Sequence, residues 1–287
     1  MWKSLWAEMA QEGFRDKMLS FDLKDKVAVI TGGGGVILSV MAKELAKLGV
    51  RVAVLDLKLE AAQGVADEIK LAGGDAIAVE ADVLSKASLE KACESVVSHF
   101  GGVDILINGA GGNHPKATCS AERTFFDLET DAIRSVFDLN VTGAIITTQA
   151  FGQELIKKGR GNVINIASMT SYLPLTNTVA YSAAKAAVAS FTQWMAVHFN
   201  QEYSSEIRVN AIAPGFLLTE QNRFLMQEED GELTDRGNRV IQKTPMARFG
   251  EPEEMVGAVV WLCSDAASFV NGAIVPIDGG FSAYWGV

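Results

Sequence analysis

Short apolar runs alternate along the chain with stretches in which apolar residues recur every three or four positions. The first run, KVAVIT at 26–31, ends in four glycines and leads into 36–48, whose apolar positions have helical spacing up to Gly49. Further runs at 50–55, 76–79, 103–108, 162–167, 207–212 and 273–276 predict six more strands. Helices are predicted over 59–71, where Leu59, Ala62, Val65 and Ile69 share a face, and after the N-cap candidate Ser85, with Leu89, Ala92, Cys93, Val96, Val97 and Phe100 on one side. Others are predicted over 131–158 as one long helix, over 181–199 and over 252–263. The strands are rich in Val, Ile and Ala and apolar on both faces, as parallel strands covered by helices on each side must be. No repeat or linker interrupts the alternation, so the pattern predicts one doubly wound α/β domain over 21–287. Residues 1–20 form an extension whose Trp2, Leu5, Trp6 and Met9 predict a short amphipathic helix capping the domain or a subunit neighbour. Residues 214–248 are the main irregular insertion, with a lid at about 216–248, and the run Glu228, Glu229, Asp230 and Glu232 reads as a solvated stretch.

Composition narrows the function classes. A formal net charge of -10 over 287 residues disfavours nucleic acid and anionic membrane as partners, since both would be repelled. The first residues are too polar for a signal peptide, and no stretch reaches the ~18 apolar residues of a membrane span. Cys93, Cys119 and Cys263 form no CxxC pair, which points to a reducing cytoplasm, with Cys93 in the core. His99, His114 and His198 are scattered, so no catalytic metal is expected.

The glycine run Gly32-Gly33-Gly34-Gly35, placed between a strand and a helix, suits a dinucleotide pyrophosphate. Helix N-terminal N–H groups face it, and the absence of side chains lets it approach closely. Gly32, Gly34, Gly35, Val36 and Ile37 are the candidate contacts. This is the signature of a Rossmann fold, here with a mostly parallel seven-stranded sheet. Asp56 ends the second strand 24 residues after Gly32, where a carboxylate can accept hydrogen bonds from both adenosine ribose hydroxyls and repel a 2′-phosphate. NAD(H) is therefore expected over NADP(H), although Lys58 lies nearby. Asp82 and Val83 stand where an adenine contact would come, and Asn108-Gly109-Ala110-Gly111 ends the fourth strand with small residues.

Tyr181 and Lys185 stand at i and i+4, on one helix face. A free tyrosine, with a pKa of about 10, is a poor proton carrier at neutral pH, and a nearby ammonium lowers that value. Ser168 ends the fifth strand thirteen residues before Tyr181, within reach of the same substrate oxygen. With the TG-rich loop, NGAG, Asn140 in LNVTG, Pro214-Gly215 and Asp278-Gly279-Gly280, these motifs make the chain resemble the short-chain dehydrogenase/reductase family over about 23–281. The resemblance implies that Tyr181 is the general acid/base and that Ser168 orients the carbonyl oxygen. It implies that Lys185 binds the nicotinamide ribose and tunes Tyr181, and that Asn140 holds a relay water. It also implies cofactor contacts at Val83, Asn108, Ala110, Gly111, Pro214, Gly215, Phe216 and Thr219, and a homotetramer. One departure stands out: the family's usual loop has glycines where this chain has Val36 and Leu38, so Gly33, Gly34 and Gly35 are expected to supply the flexibility instead.

Two segments bear on the substrate. Residues 111–118, GGNHPKAT, follow the fourth strand at its ligand-binding end, and 214–223, PGFLLTEQNR, open the lid. Both are similar to the D-mannonate oxidoreductase (fructuronate reductase) branch of that family. A hexuronate offers one carboxylate and several hydroxyls. Lys116 or Arg223 suits the carboxylate, and Asn113, His114 and Asn222 suit hydroxyls, with Ser168 on the reacting oxygen. Phe216, Leu217 and Leu218 read as lid packing. The alternatives are a reductase of another polyol, keto acid or 3-oxoacyl thioester, and a regulatory protein that binds NAD without turnover. The acidic charge disfavours an acidic acyl-carrier partner, and the intact Asn140, Ser168, Tyr181 and Lys185 disfavour the regulator.

Overall fold

Val27, Ala28, Val29 and Ile30 are all shut off from solvent, as a strand covered on both faces demands. They belong to the first of seven strands: β1 (Val27–Thr31), β2 (Arg51–Asp56), β3 (Ala76–Glu80), β4 (Ile105–Asn108), β5 (Gly161–Ile166), β6 (Ile207–Pro214) and β7 (Ile274–Ile277). The computed structural model describes residues 20–219 and 223–286. The strands lie in the order β3-β2-β1-β4-β5-β6-β7, and every pairing is parallel, so the expected "mostly parallel" sheet is wholly parallel. The chain runs outward from β1 to β3 and then returns to β1's other side with β4. That reversal opens a crevice at the C-terminal ends of β1 and β4, where doubly wound sheets bind ligands.

Helices α1 (Val36–Lys47), α2 (Leu59–Leu71), α3 (Lys86–Phe100), α4 (Thr130–Phe137), α5 (Gly143–Lys158), α6 (Val179–Glu202), α7 (Arg223–Met226), α8 (Asp235–Lys243) and α9 (Val256–Cys263) surround the sheet. Buried residues of α1, α2 and α9 form the core on one face, and those of α3, α5 and α6 the core on the other. Ser85 caps α3 as expected, its Oγ accepting from the Ser88 amide at 3.3 Å. Cys93 is buried in the α3 face, and burial pushes its thiol up to about 11.

Three expectations about elements change. The single helix over 131–158 is interrupted by a π-helical turn at Asp138–Thr142. The insertion at 214–248 is not irregular throughout: α7 and α8 lie in it, and α8 is started by Thr234, whose Oγ1 accepts from the Gly237 amide at 3.0 Å. The last helix opens with a 3₁₀ turn at Pro252–Met255. The acidic run at 228–232 is exposed, as read. The helix expected around Trp2, Leu5, Trp6 and Met9 lies outside the described residues. Among the described residues no helix is long and apolar enough to cross a membrane, and no group of side chains is placed to hold a metal.

Candidate active site

Asn140 sits in the middle of the π-helical turn, a feature that concentrates at functional sites. The wide turn brings its side chain inward, where it is 2 % exposed and fully engaged. Nδ2 donates to Val136 O at 2.8 Å and to Gly112 O at 2.7 Å, and Oδ1 accepts from the Gly112 amide at 3.2 Å. Asn140 thereby ties the helix to the chain leaving β4. Gly111 lies against it: a Cβ there would stand 2.7 Å from Asn140 Oδ1 and 3.2 Å from Lys185 Nζ. The bare glycine is what leaves room for both groups.

The long, alanine-rich start of α6 carries Tyr181 and Lys185 side by side, with the Lys185 ammonium 5.6 Å from the Tyr181 ring centroid. Ser168, just beyond β5, accepts from the Thr170 amide at 3.2 Å and stands near enough to the Tyr181 phenol to lower its pKa against the effect of burial. The four residues expected to act together are thus brought together. Their electrostatics differ from the expectation. Burial pushes the Tyr181 phenol up, opposed by Ser168. The Lys185 ammonium donates to Ile166 O at 2.7 Å, and burial brings its pKa down to about 8. The cause is desolvation, which disfavours the charged form of a buried lysine.

A buried polar network holds these helices on the sheet. Asn108 Nδ2 donates to Thr148 Oγ1 on α5 at 2.9 Å and to Asn165 Oδ1 on β5 at 2.8 Å. Asn165 Nδ2 donates in turn to Thr192 Oγ1 on α6 at 2.9 Å. Polar residues inside apolar strands were the available signal for this network, and the sequence reading named only Asn108.

The first loop has the features of a dinucleotide cradle. Gly32 has φ +65° and approaches Ala110 so closely that a Cβ would stand 3.0 Å from its backbone. Gly35 caps α1 with no side-chain hydrogen bond, which leaves the helix N-terminus to an anion. Asp56 is pinned by two amides, Gly34 N on Oδ2 and Lys58 N on Oδ1, each at 3.1 Å. A Cβ on Gly34 would stand 2.6 Å from Ala61 Cβ and 3.0 Å from Asp56 Oδ2, so no side chain fits beside the carboxylate. Val83 packs under Gly143, at the foot of the π-helical turn, and Asp82 Oδ1 accepts from the Leu84 amide at 2.9 Å. A pyrophosphate beside Gly32, Gly34, Gly35, Val36 and Ile37 and a ribose beside Asp56 fit these groups.

A family profile described as Enoyl-(Acyl carrier protein) reductase matches residues 37–282. An oxidoreductase of Bacillus subtilis, UxuB, itself uncharacterised, is 50% identical over 93% of this chain and 98% of its own length. The chain belongs to the short-chain dehydrogenase/reductase family. It is an oxidoreductase of that family acting on a CH–OH group or the matching carbonyl. A Haemophilus influenzae structure with bound NAD, provisionally described as a D-mannonate oxidoreductase, superposes with a TM-score of 0.88. It is 46% identical, covering 93% of this chain and 98% of that one. A 7alpha-hydroxysteroid dehydrogenase of Escherichia coli is 34% identical over 90% of the chain and 94% of its own length, so membership leaves the substrate open.

The residues expected at the substrate lie in the segments beyond β4 and β6. After β4, Asn113 Nδ2 donates to Thr118 Oγ1 at 2.9 Å, and that hydroxyl donates to His114 O at 3.0 Å. His114 Nδ1 accepts from the Lys116 amide at 3.1 Å, so a neutral ring carries its hydrogen on Nε2. Lys116 is turned away into an ion pair with Glu129 at 3.0 Å. After β6, Gly215 N donates to Ile277 O, and Phe216 stacks edge-on against Phe281 at 5.3 Å. Pro214 ends β6, and Thr219 O accepts from the Arg223 amide at 2.9 Å. Leu217 is buried, as lid packing requires. Arg223 is exposed and donates to Gln227 Oε1 at 2.8 Å, so both cations expected at a carboxylate are engaged by neighbours. Asn222 lies outside the described residues.

Proposed function

We propose that this protein is an NAD(H)-dependent oxidoreductase that interconverts a sugar acid and its keto form, D-mannonate and D-fructuronate, with Tyr181 as the general acid/base. The observation that carries the reading is the full-length likeness, at 46% identity, to the NAD-bound protein provisionally described as a D-mannonate oxidoreductase. Asp56 at the end of β2, fixed by two amides, supports NAD(H) over NADP(H). The bound dinucleotide supplies the hydride. Tyr181 gives its phenol proton to the reacting oxygen in reduction and takes it back in oxidation. Ser168 holds the same substrate oxygen, and Lys185 holds the ribose and returns the proton to Tyr181. Asn140 anchors the relay water through which solvent protons arrive. Asn113, Asn222 and the Nε2–H of His114 meet substrate hydroxyls, with Lys116 or Arg223 at the carboxylate. A homotetramer in a reducing cytoplasm completes the proposal; exposed Trp194 and Val197 on α6 and Trp285 near the C-terminus support self-association.

The test is NADH oxidation by purified protein with D-fructuronate, beside 5-keto-D-gluconate, a 7-oxosteroid and a 3-oxoacyl thioester. The expected result is turnover of fructuronate well above the others. Rapid reduction of another carbonyl with fructuronate inert would overturn the substrate. Tight NADH binding with no carbonyl reduced would overturn the enzymatic reading.

A further inference from the structure

Leu38 stands where the family's loop has a glycine, at the third position of α1. That glycine ordinarily lets the helix pack closely on the neighbouring strand. The leucine does not point into the pyrophosphate cradle. It is 7 % exposed and packs against Gly109, the residue immediately after β4. A Cβ built on Gly109 would lie 2.5 Å from Leu38 Cγ, 2.6 Å from Leu38 Cδ1 and 2.6 Å from Thr31 O. Gly109 is not among the glycines with positive φ, so its backbone conformation admits a side chain and only the space forbids one. The room that close packing needs has moved from the helix to the strand end it faces.

This contact joins the two ends of the dinucleotide site. Thr31 Oγ1 accepts from the amides of Gly109 at 3.1 Å and Ala110 at 3.3 Å, which stitches the glycine loop to the same strand end. Two residues beyond Gly109, Gly111 touches Asn140 and Lys185. We propose that Leu38 and Gly109 form a size-matched pair that sets the spacing between the pyrophosphate cradle and the Asn140–Lys185 relay, making Leu38 a positioning residue for hydride transfer. The proposal rests on the dinucleotide reading but not on the identity of the sugar acid.

The experiment compares wild type with Leu38→Ala, Leu38→Met, Gly109→Ala and the Leu38→Ala/Gly109→Ala double variant. The readouts are NADH affinity by fluorescence titration, melting temperature of the free protein, and the primary isotope effect with NADH deuterated at the transferred position. Leu38→Ala is expected to weaken NADH binding about 10-fold and to raise the isotope effect, because small misplacements are costly at the hydride step. Leu38→Met, which conserves volume, is expected to stay within about 2-fold of wild type. The double variant is expected to bind NADH better than the product of the two single losses, since the methyl on residue 109 fills part of the gap. A lower melting temperature for Leu38→Ala with wild-type NADH affinity and isotope effect would overturn the proposal, as would strictly multiplicative losses. If Gly109→Ala does not fold, the contrast between Leu38→Ala and Leu38→Met decides: equal NADH affinity in the two overturns the pairing. Failure of the wild type to bind NADH would overturn the dinucleotide reading and the pair together.

Discussion

The chain leaves β4 through residues 111–129 and leaves β6 through residues 216–248, and both segments start at the C-terminal edge of the sheet, but they are tied down differently. The first is stitched to the rest of the fold and across itself. Gly112 exchanges hydrogen bonds with Asn140, Cys119 N donates to Asn177 O, Arg123 Nη1 donates to Pro115 O, and Lys116 pairs with Glu129. The second is held at its base, where Leu218 N donates to Gly250 O and Gly250 N to Phe216 O. Further along, among the described residues, Thr234 N donates to Met226 O and Thr234 Oγ1 to Leu225 O, while Met246 N donates to Gly279 O and Arg248 pairs with Glu254. The first wall therefore presents preorganised donors. Below both lies the buried quartet of Asn140, Ser168, Tyr181 and Lys185, which belongs to neither. Under the proposed function, Asn140, Ser168, Tyr181 and Lys185 set the reaction type and the two walls set the substrate.

Substitutions in the buried part are expected to lower kcat, and those in the walls to raise KM. Lys185→Met should reduce turnover by about 100-fold or more. It also has a pH signature. Burial brings the Lys185 pKa from its ordinary 10.5 down to about 8 on folding, so between those values the unfolded chain binds more protons than the folded one. Wild-type stability should rise relative to Lys185→Met as pH increases through that window, by up to about 3 kcal/mol. The hydrogen bond that Lys185 Nζ donates to Ile166 O is missing from the variant at every pH, so the change in the gap between the two proteins, not its sign, is diagnostic; a gap that urea unfolding finds constant from pH 7 to pH 10 contradicts the burial of a titrating cation.

Asp56→Ala should narrow the preference for NADH over NADPH by about 10- to 100-fold, as removal of one charge beside a 2′-phosphate implies. An unchanged ratio of kcat/KM values would show that Asp56 does not read the ribose. In the first wall, His114→Ala should raise KM for the sugar acid about 10-fold with kcat largely kept, because one oriented donor is lost. A fall in kcat at constant KM would break the division between wall and buried quartet. Lys116→Ala should change either constant by less than about 3-fold, since its exposed ion pair with Glu129 is weakly coupled to the site. A large rise in KM there would mean that Lys116 leaves Glu129 to meet the substrate carboxylate.

The strands and most helices were legible because a parallel sheet leaves continuous apolar runs and its helices leave a 3.6-residue period. The π-helical turn was not, because one extra residue barely disturbs that period over 131–158; Val141 and Thr142 beside Asn140, followed by Gly143, were weak helix formers and the only local hint. The grouping of Ser168, Tyr181 and Lys185 was readable from motif spacing, whereas the direction of the Lys185 ammonium was not, since it depends on the orientation of the Ile166 carbonyl. Leu38 looked like a defect in the glycine loop, and only the three-dimensional pairing with Gly109 shows where its side chain goes. Lys116 and Arg223 were chosen by charge, and their local partners Glu129 and Gln227 appear only once α4 and α7 are folded.

Tyr181→Phe tests Tyr181 as the proton carrier with paired readouts on one preparation. NADH affinity by titration should stay within about 3-fold of wild type, while turnover of whichever carbonyl the wild type reduces should fall by about 1000-fold or more, because the phenyl ring keeps the packing and loses only the hydroxyl. Near-normal turnover by that variant would contradict the assignment of the proton to Tyr181.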